Sequence, residues 1–182
     1  MLKQIPNILT FSRIVSIPLI LIFYSIGEKY GEVISASLFM LACFTDFLDG
    51  YLARKFSIQS RMGSFFDPIA DKLLVGSIIV LLVHHNKVDL FPAIAIVCRE
   101  ILVSGLREFL SDIRVSIPVS SLGKVKTAFQ MVAIFMLLLG SKQSGFIYLD
   151  ELGRVVLWIA SVITLLTGYV YLKSGLKHIN ND

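Results

Sequence analysis

DFLDGYLARKFSIQSRMGSFFDPIAD, residues 46–71, decides how this chain is read. Asp46, Asp49, Asp67 and Asp71 stand between two apolar runs, SASLFMLACFT at 35–45 and LLVGSIIVLLV at 73–83. Runs of that kind belong in a bilayer, where a carboxylate costs about 2.5–3.5 kcal/mol even on lenient insertion scales. A cluster of four therefore requires a function or a partner. Two divalent cations, with four positive charges, are the simplest partner.

The remainder of the chain is of the same character. The hydrophobic fraction is 55% and the mean hydropathy is +0.79. Soluble domains rarely look like this, and a membrane-embedded helical bundle does. The 182 residues suffice for one domain, residues 1–182, with about six spans of roughly 20 residues. Spans are predicted near 8–27, 33–55, 63–84, 89–110, 121–140 and 152–172. The opening MLKQIPNILTFSRIV shows no small-residue cleavage site after its apolar run, so it is expected as a retained first span. Cys43 and Cys98 lie in apolar segments at a spacing that fits neither zinc nor a redox pair. They read as small buried hydrophobes.

Charge placement orients the bundle. The connections after the second and fourth spans carry Arg54, Lys55, Arg61, Arg107, Arg114, Lys124 and Lys126, and the chain ends add Lys3, Lys173 and Lys177. The opposite connections carry only Lys29, Lys87, Lys142 and Arg154. Ten basic residues against four put both termini in the cytoplasm. The expected fold class is an all-α integral membrane protein, a six-transmembrane-helix bundle with both termini cytoplasmic. Its expected location is the cell inner (plasma) membrane, crossed several times.

Helical spacing lets the aspartates converge. Asp46 and Asp49 are i, i+3 on span two, and Asp67 and Asp71 are i, i+4 on span three, so each pair shares a face. The eight residues KFSIQSRM between Arg54 and Gly63 form a polar turn and make the two spans antiparallel neighbours. At a rise of 1.5 Å per residue Asp46 lies roughly 12 Å below Arg54, inside the bundle but reachable from the cytoplasm. Pro68 suits a first helical turn, and Asp67 before it can cap. Gly50 and Gly63 leave backbone open to a bulky ligand. Arg54 offers a fork of donors to a phosphate, and Lys72 reads as a neutralising or snorkelling neighbour of Asp71. Oxygen-only donors suit Mg²⁺ or Mn²⁺. Two such ions about 3.5–4 Å apart form the clamp used in phosphoryl-type displacement. The competing reading pairs some aspartates with Arg54, Arg61 or Lys72 at the membrane surface.

Asp46-x2-Asp49-Gly50-x2-Ala53-Arg54-x8-Gly63-x3-Asp67-x3-Asp71 resembles the complete motif of the CDP-alcohol phosphotransferase family. The resemblance implies a six-helix membrane enzyme, usually a homodimer, with a dinuclear site facing the cytoplasm. Such enzymes move a phosphatidyl or similar group from a CDP carrier to an alcohol and release CMP. By that resemblance Asp46, Asp49, Asp67 and Asp71 bind two Mg²⁺ or Mn²⁺ ions, and Asp71 is also the base that deprotonates the acceptor. Asp49, Gly50, Ala53, Arg54 and Gly63 are implied at the CDP site. Asn7 and Thr10 are implied there too. With Arg13 they recur every third residue along span one, and helix-to-helix hydrogen bonding explains that row equally well.

The acceptor is read from span four. In CREILVSGLREFL, Glu100, Ser104 and Arg107 fall on one helical face, and Lys124 and Lys126 follow at the entry to span five. A basic cluster there fits an anionic acceptor. PNILTFSRI, REILVSGLREF and LGKVKTAFQM together resemble the bacterial phosphatidylglycerophosphate synthases within that family. This subgroup implies CDP-diacylglycerol as donor and glycerol 3-phosphate as acceptor, its phosphate held by Arg99, Arg107, Lys124 and Lys126. The implied partners are those two substrates, the lipid bilayer and a second copy of the chain, with no nucleic acid. A sibling using serine, inositol phosphate or phosphatidylglycerol shares every aspartate. A divalent-cation transporter also explains paired intramembrane aspartates, but not the glycines, Ala53 and Arg54 at fixed offsets.

Overall fold

In the computed structural model, the backbone is described for residues 5–27, 30–56, 61–113, 115 and 121–179, and side chains over most of these. The described residues form six helices: α1 (Ile5–Ile26), α2 (Gly31–Phe56), α3 (Arg61–His84), α4 (Leu90–Asp112), α5 (Ser121–Ser144) and α6 (Leu149–Ile179). They coincide with the six predicted spans to within a few residues, save that α5 and α6 run on further. Long Leu, Ile, Val and Phe runs form helices because an apolar segment in lipid must satisfy its own backbone hydrogen bonds. α1 ends where Gly27 takes a φ of 65°, the left-handed conformation favoured just past a helix.

Packing departs from a simple hairpin reading of α2 and α3. The two run antiparallel, as expected, but α1 is wedged between them and packs extensively on both. Ser35 of α2 donates to the Ile20 carbonyl at 3.1 Å, and Tyr24 of α1 stacks edge-on against His85 just beyond α3, 5.0 Å between rings. α5 and α6 form the most extensive pair, and α4 lies on α6. One apolar core, built around Ile20, Phe39, Ile78, Leu82, Leu137 and Leu138, joins α1, α2, α3 and α5.

Polarity is arranged inside out. Phe44, Phe47, Val80, Leu166 and Tyr169 face outward, whereas Thr10, Arg13, Arg99, Lys126 and Thr164 are buried. An outer surface this apolar is suited to lipid contact. By length and composition α2, α5 and α6 are able to cross a membrane, and α1 is apolar from Thr10 to Ile26. α3 and α4 are interrupted by Asp67, Asp71, Lys72, Arg99, Glu100, Arg107 and Glu108.

The end of the bundle away from the aspartates is closed by a clasp. Lys87, in the turn between α3 and α4, meets Glu32 of α2 at 3.3 Å and Asp150 of α6 at 3.4 Å. Burial works against its ammonium, but Tyr24, Glu32 and Asp150 outweigh that and hold its pKa above the ordinary lysine value. Arg154 of α6 donates to the carbonyls of Asn86 and Lys87, and Trp158 donates to Asp89 at 2.8 Å. Asp150 also receives the Ser141 amide at 2.9 Å. That contact depends on Gly140, where φ 69° and ψ 158° break α5 into a short final segment. The conformation is essentially restricted to glycine, and Gly140→Ala is expected to destabilise the protein by about 1–3 kcal/mol. Thermal unfolding in detergent checks this; an unchanged midpoint contradicts it.

Candidate functional site

The start of α1, the second half of α2 and the start of α3 meet at one end of the bundle. Thr10 and Arg13 are one turn apart on the inner face of α1. The Arg13 side chain is 1% exposed, yet its guanidinium reaches both neighbouring helices. Nη2 lies 2.7 Å from Asp46 Oδ1 of α2, and Nη1 donates to Asp71 Oδ1 of α3 at 2.7 Å. The Thr10 hydroxyl donates to Asp67 Oδ1. Asp46, Asp67 and Asp71, expected together from spacing alone, therefore do converge, with α1 as their common anchor.

The remaining motif residues are located by their helices only. Asp49, Gly50, Ala53 and Arg54 belong to the last turns of α2, Gly63 to the first turn of α3 and Asn7 to the first turn of α1. Their side chains lie outside the described residues.

The electrostatics leave room for a cation. Three carboxylates gather around one guanidinium, which pairs with two of them, so the cluster stays acidic. The Asp46 and Asp71 side chains are 45% and 44% exposed, while Arg13 is sealed beneath them. Each contact to α1 uses Oδ1, which leaves the second oxygen of each carboxylate for an approaching ligand. Carboxylate oxygens suit a hard dication such as Mg²⁺ or Mn²⁺. Among the described residues no three acidic, histidine or cysteine side chains close into a cage. The described carboxylates thus form an open acidic face to which Asp49 is the further candidate.

Beside this face, between α3 and α4, lies a polar cavity of about 560 Å³ lined by Pro68, Lys72, Arg99, Glu100, Ser104, Arg107, Glu108 and Ser111. Two of the four expected acceptor residues, Arg99 and Arg107, line it. Arg107 is exposed. Arg99 is 9% exposed and held from behind. It donates to Thr167 Oγ1 at 3.4 Å, pairs with Glu100 at 3.4 Å and lies 5.9 Å from the Tyr171 ring. Its stem fits against α6 because residue 168 is glycine, where a Cβ would approach Arg99 Cγ to 2.8 Å. Lys126 is buried and turned onto Glu100, and Lys124 is exposed at the start of α5; neither lines the cavity. An apolar groove of about 830 Å³ runs along α3 from Ile69 to His84 and joins the cavity at Lys72 and Glu100.

Two residues stand out more in the structure than in the sequence. Lys72 reads from sequence as a neutraliser of Asp71, whereas it lines both the cavity and the groove, its ammonium 2.6 Å from the Pro68 carbonyl. Arg13 reads as one polar residue in a row of three. The available signal was the one used for the aspartates: a charge inside an apolar span needs a partner. Cys43 and Cys98 are free thiols, with Cys98 exposed on α4 rather than buried as expected. His84 and His85 sit beside the far clasp, 5.1 Å apart and remote from the aspartates.

Comparison with known proteins adds the family. The CDP-alcohol phosphatidyltransferase family model matches residues 3–166. A protein of Rickettsia felis is 51% identical over 176 residues, covering 97% of this chain and 97% of its own. One from Rickettsia typhi is 50% identical, covering 95% of this chain and 97% of its own. One from Salmonella typhimurium is 36% identical over 94% of each. All three are named CDP-diacylglycerol–glycerol-3-phosphate 3-phosphatidyltransferase.

The buried pairing around Glu100 is open to test. Removing one partner of a buried ion pair strands the other, at about 3–5 kcal/mol. Glu100→Leu is expected to lower stability by about 3 kcal/mol because Lys126 and Arg99 lose their shared carboxylate. Adding Lys126→Met should restore much of it in a denaturation cycle. A double variant less stable than the single one contradicts the pairing.

Proposed function

The chain belongs to the CDP-alcohol phosphatidyltransferase family, and from that membership we infer that it transfers the phosphatidyl group of CDP-diacylglycerol to glycerol 3-phosphate. The products are phosphatidylglycerophosphate and CMP. The observation that carries this reading is the convergence of Asp46, Asp67 and Asp71 beside a cavity that holds Lys72, Arg99 and Arg107. An acidic face for dications and a cavity whose Lys72, Arg99 and Arg107 outnumber its Glu100 and Glu108, for a phosphorylated alcohol, are the two halves that the reaction requires.

The bundle is read as six spans with both chain ends and the site on the cytoplasmic side of the inner membrane. At a 1.5 Å rise per residue, even α1 with 22 residues reaches about 33 Å, enough for a hydrocarbon core of about 30 Å. Contacts support the alternation: α1 begins at the Asp71 end, and α6 ends near Arg99 and Leu106 of the same end. The basic residues gathered there favour the cytoplasm.

Asp46, Asp49, Asp67 and Asp71 would hold two ions, Mg²⁺ or Mn²⁺. Bound dications neutralise a diphosphate and stabilise the entering and leaving oxygens of an in-line displacement. The chain's own residues supply the rest. Gly50, Ala53 and Gly63 leave space for the cytidine, with Asn7 and Thr10 near it, and Arg54 donates to the diphosphate. Arg107 and Lys72 receive the phosphate of glycerol 3-phosphate, with Arg99 behind them and Lys124 at the cytoplasmic approach, while Lys126 stays paired with Glu100. Asp71 accepts the proton of the C1 hydroxyl. The freed oxygen attacks the β-phosphorus, the bond from that phosphorus to the CMP oxygen breaks, and CMP leaves. The acyl chains stay in lipid throughout.

A homodimer completes the reading. The apolar groove on α3 contains Gly76 and Ser77, and small residues permit close helix contact within a bilayer. Gly76→Leu should then shift the detergent-solubilised protein toward monomer; an unchanged dimer mass places the partner elsewhere.

CMP release by purified protein tests the function. Release should need CDP-diacylglycerol, a dication and glycerol 3-phosphate, and should fail with serine or inositol phosphate. Asp71→Asn is expected to lower turnover by about 10²–10⁴-fold, the usual worth of general-base help. Arg107→Met should raise the KM for glycerol 3-phosphate and leave that for CDP-diacylglycerol in place. Cation flux into liposomes without CMP release contradicts the reading.

A further inference from the structure

We propose that α1 positions the metal-binding carboxylates, with Arg13 setting the distance between Asp46 and Asp71, and Thr10 orienting Asp67. The inference rests on the dication-dependent reading of the site given above.

Geometry carries it. α2 and α3 bear the acidic residues, and α1 packs on both of them, more extensively than α5 does. At the site it is α1 side chains that meet their carboxylates. The Arg13 guanidinium spans the gap, with one Nη at 2.7 Å from each helix's carboxylate. Arg13 is 1% exposed, and it pairs with carboxylates that are nearly half exposed, so it lies under the acidic face rather than across its mouth. A cation approaching from the open side would meet Asp46 and Asp71 already turned toward one another. Thr10 does the same for Asp67 one turn away.

The fork matters as well as the charge. A guanidinium presents donors in a planar arrangement that serves two carboxylates at once, whereas an ammonium is a point charge on a flexible stem. Outer partners of metal ligands typically contribute 10–100-fold in metal affinity. A simple counter-charge acts in the opposite sense: removing a positive group beside a cation site tightens cation binding.

Mn²⁺ binding to the purified protein without substrates separates these roles. Free Mn²⁺ is read by its electron paramagnetic resonance signal, and the Mn²⁺-induced rise in unfolding temperature is read in parallel. Wild-type protein should bind Mn²⁺. Arg13→Lys and Arg13→Gln should each weaken that binding about 10–100-fold, and Lys should not rescue it. Thr10→Val, which keeps volume and removes the hydroxyl, should weaken it severalfold and carries the test if the Arg13 variants do not fold. The metal concentration for half-maximal CMP release should rise in step, with little change in the KM for glycerol 3-phosphate. Variants that lose only stability, with Mn²⁺ affinity of the folded protein unchanged or increased, overturn the positioning role. Wild-type protein that binds no Mn²⁺ overturns the dication reading itself.

Discussion

A guanidinium closed off from solvent, ion-paired with carboxylates on two other helices, is the constraint around which this bundle is arranged. Leaving Arg13 buried without Asp46 and Asp71 would strand a charge inside an apolar assembly, at several kcal/mol or more. Leaving the aspartates without Arg13 would set like charges facing one another across α2 and α3. Each side of the interaction makes the other tolerable, and the cluster keeps an acidic surplus. The fold and the site thus share one electrostatic solution.

The same logic extends along the bundle. Arg99 and Lys126 are buried against Glu100, and Lys87 is shared by Glu32 and Asp150 at the opposite end. Among the described residues, outward-facing positions are rich in Phe, Leu, Ile and Val, and the buried and half-buried cations pair with carboxylates in three places. One of them, the clasp at Lys87, ties together the ends of α2, α5 and α6 with the α3–α4 turn. The other two adjoin each other along α3 and α4. Their adjacency brings the acidic face beside the cavity lined by Lys72, Arg99, Arg107, Glu100 and Glu108.

The six helices and the acidic convergence were legible in the sequence because both depend on local periodicity. Hydrophobic runs set the helices, and i, i+3 and i, i+4 spacing put Asp46, Asp67 and Asp71 on the inner faces. The wedge of α1 between α2 and α3 was not legible, since which helices touch depends on tertiary packing that no spacing encodes. For the same reason spacing does not separate the basic residues of α4 and α5 by contact: Lys126 is committed to Glu100, whereas Arg107 opens onto the cavity. Arg99 and Glu100, next to one another in the chain, both line the cavity, but Arg99 is the more buried because it also packs on Thr167 and Gly168 of α6.

Anomalous diffraction from crystals grown with Mn²⁺ addresses the central claim most directly. The account predicts strong metal peaks on the acidic face, within about 2.0–2.2 Å of oxygens from Asp46, Asp67 and Asp71, with Arg13 still beneath them. Metal peaks only at the distal clasp or the bundle surface, with these carboxylates uncoordinated, would contradict it.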